Sequence, residues 1–66
     1  MNTLGDEYPK QQARVRAIQQ SALEIGPSGR FLFLICENLL KRADLAIMQQ
    51  DLPAMIMICK EMQDIQ

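Results

Sequence analysis

The most constraining feature of this sequence is the apolar segment at residues 31–48, whose apolar side chains would occupy more than one face of a helix. They are too frequent to fit within the single stripe of an ordinary amphipathic helix. A chain of 66 residues buries only about 60% of its unfolded surface, so it cannot cover both faces of such a helix with its own atoms. The segment therefore predicts a central helix covered on one side by its own chain and on the other by a partner.

The overall composition favours helices over sheets. Hydrophobic residues make up 48% of the chain but aromatic residues only 5%, so the core must consist of Leu, Ile, Met and Ala. We expect an all-α fold, a helical hairpin plus a short third helix, assembled as a homo-oligomer.

Helix signals divide the chain into three segments within one domain, residues 1–66. Gly26 and Pro27 end the first segment, with Ser28 as the N-cap of the second, and Asp51 and Pro53 open the third. Residues 1–7 are expected to form a flexible arm, and the helices are expected at about residues 9–25, 29–50 and 53–64.

The first helix should be amphipathic, with a narrow apolar stripe and a polar face opposite it. Its apolar residues are spaced by three and four positions, as expected for one side of an α-helix. This stripe comprises Val15, Ile18, Ala22 and Ile25. The face expected to point to solvent includes Gln11, Arg14 and Gln19.

Several functional classes are disfavoured by the residues present. The net charge of −1 argues against a general nucleic-acid binder, and the lack of histidine removes the usual imidazole chemistry and the common zinc sites. The carboxylates of the last two helices lack the spacing of a metal or acid–base site. We expect no catalytic residue, no metal and no cofactor.

Localisation is predicted from the cysteines and the N-terminal residues. Cys36 and Cys59 lie within apolar helical stretches, where a buried free thiol is a better expectation than a disulfide. The chain shows no basic and apolar leader and no apolar run long enough to span a membrane. We therefore expect a cytoplasmic protein that does not bind membranes.

The turn before the second helix is a candidate ligand site, with Ser28, Gly29, Arg30 and Phe31 as its residues. Free N–H groups at a helix N-terminus, a hydroxyl and a guanidinium could together hold a phosphate. The alternative is that Gly-Pro-Ser-Gly only connects two helices, because it lacks the P-loop and dinucleotide-binding glycine patterns.

A second candidate lies at the start of the first helix. Lys10 and Arg14 are four residues apart and share one face, and Tyr8 could stack on a base. The alternative is ordinary solvated charge. In an antiparallel hairpin this cluster and the Ser28–Arg30 turn lie at opposite ends, so only contact between subunits could join them.

The sequence resembles short open reading frames of phages and prophages. The resemblance rests on Glu-Tyr-Pro-Lys-Gln-Gln-Ala-Arg-Val-Arg, found here from Glu7 to Arg16, and on a Gly-Pro-x-Gly turn, found here from Gly26 to Gly29. Those reading frames imply no particular activity.

The second helix is also similar to helical-hairpin sponge proteins, with which phages sequester nucleotide signals of the Thoeris and CBASS defence systems. Those proteins carry a Pro-x-Ser-Arg turn, then a Glu and an Ala-Asn-x-Ala-Ile stretch. Here Pro27-Ser28 is followed by an extra glycine before Arg30, and Glu37 precedes Ala-Asp-Leu-Ala-Ile at residues 43–47. The resemblance implies a homo-oligomer with nucleotide pockets between subunits, to which Ser28 and Arg30 would contribute.

These observations give two expected functions. The first is a phage-encoded anti-defence protein that sequesters a cyclic dinucleotide or a cyclic ADP-ribose type of signal between subunits, without catalysis. The second is a small helical protein that inhibits a host enzyme or regulator by direct binding, with the apolar and Met-rich third helix as the ligand for a groove.

Overall fold

A computed structural model describes residues 3–65 and shows three helices connected by short turns. They are α1 at Leu4–Ile25, α2 at Pro27–Met48 and α3 at Leu52–Asp64. No strand occurs within residues 3–65. The expected all-α fold, with a hairpin and a shorter third helix, is confirmed for this part of the chain.

Helix α1 begins earlier than the sequence analysis predicted. Thr3 is its N-cap, and the Thr3 hydroxyl oxygen accepts a hydrogen bond from the Asp6 backbone N–H at 3.3 Å. Asp6 and Glu7 then lie in the first turn, where negative charge complements the helix dipole. The expectation of an arm is therefore wrong for residues 4–7, and Met1 and Asn2 lie outside the described residues.

The turn between α1 and α2 is tighter than expected and is made by Gly26. Gly26 has a φ of +94°, which side-chain-bearing residues rarely adopt, and it serves as both the C-cap of α1 and the N-cap of α2. Pro27 is the first residue of α2, and Ser28 lies within its first turn. The prediction that Ser28 caps the helix is therefore wrong, because the chain reverses one residue before Pro27.

Helix α2 ends at Met48 rather than at residue 50 because the chain turns into a Schellman motif. Gln50 adopts a left-handed conformation with a φ of +53°. Its N–H donates to the Ile47 carbonyl at 3.0 Å, and the Asp51 N–H donates to the Ala46 carbonyl at 3.0 Å. The Asp51 side chain then caps α3 by accepting from the Ala54 N–H at 3.3 Å, as the sequence predicted.

Helices α1 and α2 form an antiparallel hairpin, and α3 packs along part of it. The Tyr8 hydroxyl donates to the Ala43 carbonyl at 2.8 Å, and the Gln19 amide donates to Glu37 at 2.6 Å, so the start of α1 lies beside the end of α2. A helix of 13 residues is about 20 Å long and one of 22 residues about 33 Å. Helix α3 therefore leaves the turn end of the hairpin uncovered.

The core lies between the three helices and includes two polar residues of α1. Gln11 and Gln19 are 8% and 7% exposed, which contradicts their expected place on a solvent-facing surface. Their amides are paired with Glu7 at 2.8 Å and Glu37 at 2.6 Å, so burial leaves them hydrogen-bonded. The buried apolar cluster comprises Tyr8, Val15, Cys36, Leu39, Leu40, Ala43, Ala46, Ile58, Cys59 and Met62.

Within residues 3–65, none of the three helices combines the length and hydrophobicity that a membrane crossing requires.

Candidate functional site

The Ser28–Arg30 turn presents two of its polar side chains to solvent. Ser28 and Arg30 are both exposed in the first turn of α2, where the backbone N–H groups begin without helical partners. The Arg30 guanidinium makes no hydrogen bond or ion pair with any of residues 3–65. This end of α2 therefore offers a cation and a hydroxyl beside the positive end of a helix dipole.

Gly29 is a packing residue and not part of an exposed cradle. It is buried where α2 crosses α1, and a Cβ atom at this position would lie 1.9 Å from the Ala22 carbonyl oxygen. The glycine lets the two backbones approach closely at the turn end of the hairpin. The expectation that Gly29 contributes to a ligand site is therefore not supported by its position.

Tyr8 was expected to stack on a ligand, and the structure contradicts this expectation. Its side chain is 2% exposed, and its hydroxyl donates to the Ala43 carbonyl on α2. Burial raises the pKa of the Tyr8 phenol, with smaller contributions from Cys59 and Asp44. An aromatic residue near the N-terminus of an amphipathic helix can enter the core when its hydroxyl finds a partner, and Tyr8 does so.

Arg14 also has a structural role that the sequence did not reveal. Its guanidinium donates to the Ile65 carbonyl at 2.7 Å and to the Met62 carbonyl, and its Nε donates to Gln11 at 2.8 Å. These carbonyls belong to the last turn of α3 and to its C-cap, Ile65, where a cation also interacts favourably with the helix dipole. Arg14 therefore fastens the end of α3 to α1 and is not available as part of a free cationic strip.

Of the predicted α1 cluster, only Lys10 is exposed and makes no side-chain hydrogen bond or ion pair with the described residues. Because the hairpin is antiparallel, Lys10 lies near the end of α1 that is far from Ser28 and Arg30. The structure therefore does not bring the two candidate clusters together within one chain.

Three carboxylates of α2 and α3 are used in contacts between side chains. Glu37 accepts from Gln19 and lies 3.7 Å from Lys41, Asp44 accepts from Gln12 at 3.0 Å, and Glu61 pairs with Arg42 at 3.2 Å. Across residues 3–65, no three carboxylates or thiols form a group suited to a metal ion.

Both cysteines are free thiols in the core, as predicted. Cys36 is 0% exposed and Cys59 is 5% exposed. Burial raises the pKa of the Cys36 thiol, and burial together with the charge of Glu7 raises that of Cys59. Thiols with raised pKa values are poor nucleophiles at neutral pH.

An apolar groove lies between α2 and the C-terminal end of α3, and the sequence did not predict it. The groove has a volume of about 370 Å³. Its lining includes the buried Leu39, the half-buried Ile65 and the exposed Phe31 and Leu34. Phe31, which was expected at the ligand site, is 72% exposed here. The sequence indicated excess apolar surface on α2, but the position of the groove depends on where α3 ends.

A scan against protein families found no match, and neither the curated proteins nor the solved structures that were compared contain a matching chain.

Proposed function

We propose that this chain is a non-catalytic helical binding protein that acts by docking its apolar surface onto other polypeptides. The observation that supports this function is the large amount of apolar surface that the three helices leave exposed. Large apolar patches on a soluble domain usually mark interaction sites. Eleven large apolar side chains are exposed among the described residues: Leu23, Ile25, Phe31, Leu34, Ile35, Leu45, Ile47, Met48, Leu52, Ile56 and Met57.

Helix α3 is the proposed contact for a target protein. Leu52 and Ile56 lie one helical turn apart and are 60% and 59% exposed, and Met57 beside them is 69% exposed. Methionine adapts its shape to a partner surface, and helices with such anchors bind in apolar grooves. A host enzyme or regulator in the cytoplasm is the proposed target.

Capture of a host protein with matched variants tests this proposal. We expect wild type to retain one host protein and Ile56→Glu to lose it, because a charge at an apolar anchor must be desolvated on binding. Leu23→Glu, on an equally exposed leucine of α1, should retain it. Binding of the purified host protein by wild type and by Ile56→Glu with equal affinity would rule out the α3 contact.

A second candidate function is sequestration of a small phosphorylated nucleotide signal between subunits. It is favoured by Ser28 and Arg30, which are exposed at the N-terminus of α2 and lack partners among residues 3–65. Tyr8 and Arg14 cannot contribute in this conformation. The site would therefore need additional groups from another subunit to enclose a nucleotide.

Arg30→Ala tests the second candidate. In a thermal-shift screen of nucleotide signals, a ligand at 100 times its Kd should stabilise the wild type by about 2.7 kcal/mol. Loss of a charge-assisted contact worth about 1.5–3 kcal/mol should weaken binding ten- to hundredfold in Arg30→Ala. Arg16→Ala is the control, because Arg16 is exposed and its side chain makes no hydrogen bond or ion pair with the described residues. Unchanged melting temperatures across the panel would eliminate this function.

A further inference from the structure

The outward side of α2 carries a seam with the spacing of a coiled coil. Six residues recur at alternating intervals of three and four positions, which keeps them in line along a partner helix. All six are exposed, and they extend over about 26 Å of helix. In order, the seam residues are Phe31, Leu34, Asn38, Lys41, Leu45 and Met48.

No part of the described chain covers this seam. The opposite side of α2 packs on α1 through Gly29, Cys36 and Ala43. Helix α3 lies to one side only, where Glu61 pairs with Arg42 next to the seam. Phe31 and Met48, at the two ends of the seam, are 72% and 79% exposed.

The seam has the same order of residue types when it is followed from either end. Two apolar residues are followed by two polar residues and then by two apolar residues. A surface of this kind suits a two-fold interface, in which the same patch of two identical subunits meets itself. The seam therefore points to a second copy of this chain and not to an unrelated helix.

We propose that two copies of this chain dimerise through this seam with their α2 helices antiparallel; this inference deepens the proposed binding function by naming the partner of α2. Phe31 then packs against the partner's Met48, and Leu34 packs against the partner's Leu45. Asn38 faces the partner's Lys41, whose ammonium can donate to the Asn38 carbonyl oxygen. That oxygen already accepts from Arg42 at 3.0 Å and has a second lone pair.

The polar centre of the seam selects the antiparallel direction. A parallel pair would place Lys41 beside the partner's Lys41, and such like-charge contacts are unfavourable at an interface. The antiparallel pair sets the two lysines about 4.5 Å apart along the helix axis. Each lysine then faces Asn38, and the charge of Arg42 beside Asn38 is balanced by Glu61. The groove beside Phe31 and Ile65 accommodates the flexible and highly exposed side chain of the partner's Met48.

The antiparallel pairing has a consequence for the Ser28–Arg30 turn. It places the start of α2 beside the end of α2 in the other subunit, which is also where the partner's α1 begins. Arg30 and the partner's Lys10 then lie at the same end of the assembly. Two cationic sites that are separated within one chain are thus brought to one end of a dimer.

Two single-cysteine additions test the dimer and its direction. Leu34→Cys and Leu45→Cys should not form cross-links separately, because in the antiparallel dimer equal positions are 11 residues, or about 16 Å, apart along the helix. A disulfide needs Cα atoms within about 7 Å. An equimolar mixture of the two variants should form a cross-linked dimer under mild oxidation. Wild type, whose two cysteines are buried, is the control.

Each result of this experiment decides the proposal. Cross-links in each variant alone, with no disulfide between a Leu34→Cys and a Leu45→Cys subunit in the mixture, would establish a parallel pair and overturn the proposed direction. No cross-link in any sample, together with a wild-type monomer in sedimentation at micromolar concentration, would overturn the dimer.

A charge substitution provides an independent measurement. Leu34→Glu should raise the dimer dissociation constant at least tenfold, whereas Leu23→Glu should not change it. Retention of a host protein by monomeric Leu34→Glu would show that binding through α3 does not require the dimer. The dimer proposal and the proposed α3 contact can therefore be refuted independently.

Discussion

Individual residues decide how closely the helices approach, and Gly29 is the clearest case. A Cβ atom there would lie 2.9 Å from the Ala22 carbonyl carbon and 3.0 Å from the Ile25 Cβ, in addition to its clash with the Ala22 oxygen. Because two of these atoms belong to the backbone, no side-chain rotation can relieve the overlap. The turn end of the hairpin therefore depends on this one hydrogen-sized side chain.

We expect Gly29→Ala to destabilise the fold by about 2–3 kcal/mol, because overpacking outweighs the better helix propensity of alanine. Urea unfolding followed by circular dichroism at a fixed protein concentration measures the change. Gly5→Ala is the matched control, since its nearest neighbour would be the Thr3 hydroxyl oxygen at 3.7 Å. That variant should be stabilised by about 0.5–1 kcal/mol. Destabilisation of both variants alike would refute a close approach specific to Gly29.

At the scale of elements, the ends of the helices are defined by local hydrogen bonds. Thr3 caps α1 and Asp51 caps α3, while Arg14 binds the final carbonyls of α3 from a different helix. The end of α2 is unusual because a glutamine occupies the left-handed position of its Schellman motif. Glycine takes that conformation without a steric penalty.

Gln50→Gly should therefore stabilise the protein by about 0.5–1 kcal/mol, since it removes the cost of a left-handed side-chain-bearing residue. For a chain of this size about 1 kcal/mol corresponds to a rise of roughly 4–8 °C in Tm. Gln49→Gly is the comparison, because Gln49 has an ordinary helical φ of −85° and gains nothing from glycine. A Gln49→Gly variant more stable than Gln50→Gly would show that Gln50 carries no left-handed strain.

At the scale of the whole molecule, the core contains three groups that resist deprotonation. The pKa values of Tyr8, Cys36 and Cys59 are all raised, chiefly by burial. The folded state thus holds these protons more tightly than the unfolded state does. Their contribution to stability is fully present below the unfolded pKa values of 9.0 for cysteine and 10.0 for tyrosine, and it is lost as the pH rises through the folded values.

We expect the free energy of unfolding to fall above pH 9, by up to about 1.4 kcal/mol per pH unit for each group that titrates only on unfolding. Urea titrations between pH 7 and pH 11 measure this slope. Tyr8→Phe should reduce the slope above pH 10, even though loss of its hydrogen bond lowers stability at pH 7 by about 1 kcal/mol. A slope in Tyr8→Phe equal to that of wild type would mean that the phenol does not contribute.

Local sequence patterns were sufficient to predict the three helices and the burial of both thiols. The signals for helix formation act over a few residues and can therefore be recognised in the sequence. They include helix propensity, the Gly26-Pro27 break and the Asp51-Pro53 start signal, and they predicted most ends of the three helices to within a few residues. The apolar surplus of residues 31–48 predicted more apolar surface on α2 than its own chain can cover, and Phe31, Leu34 and Met48 are indeed exposed within the chain. Coverage of this surface by a partner stays a prediction. Placement of both thiols in apolar stretches predicted their burial.

The side chains that are available for binding could not be predicted in the same way, because their availability depends on packing between distant parts of the chain. Tyr8 and Arg14 were predicted to belong to a ligand site. The prediction failed because their partners, Ala43 and the end of α3, are 35 to 51 residues away in the chain and leave no local signal. Gln19 was predicted to face solvent because it is polar. It is buried in the structure because its amide donates a hydrogen bond to Glu37 across the hairpin. A local sequence pattern shows which hydrogen bonds and charge interactions a side chain is able to form. Long-range packing determines whether its polar groups are already paired within the fold or stay exposed at the surface, as the Arg30 guanidinium does.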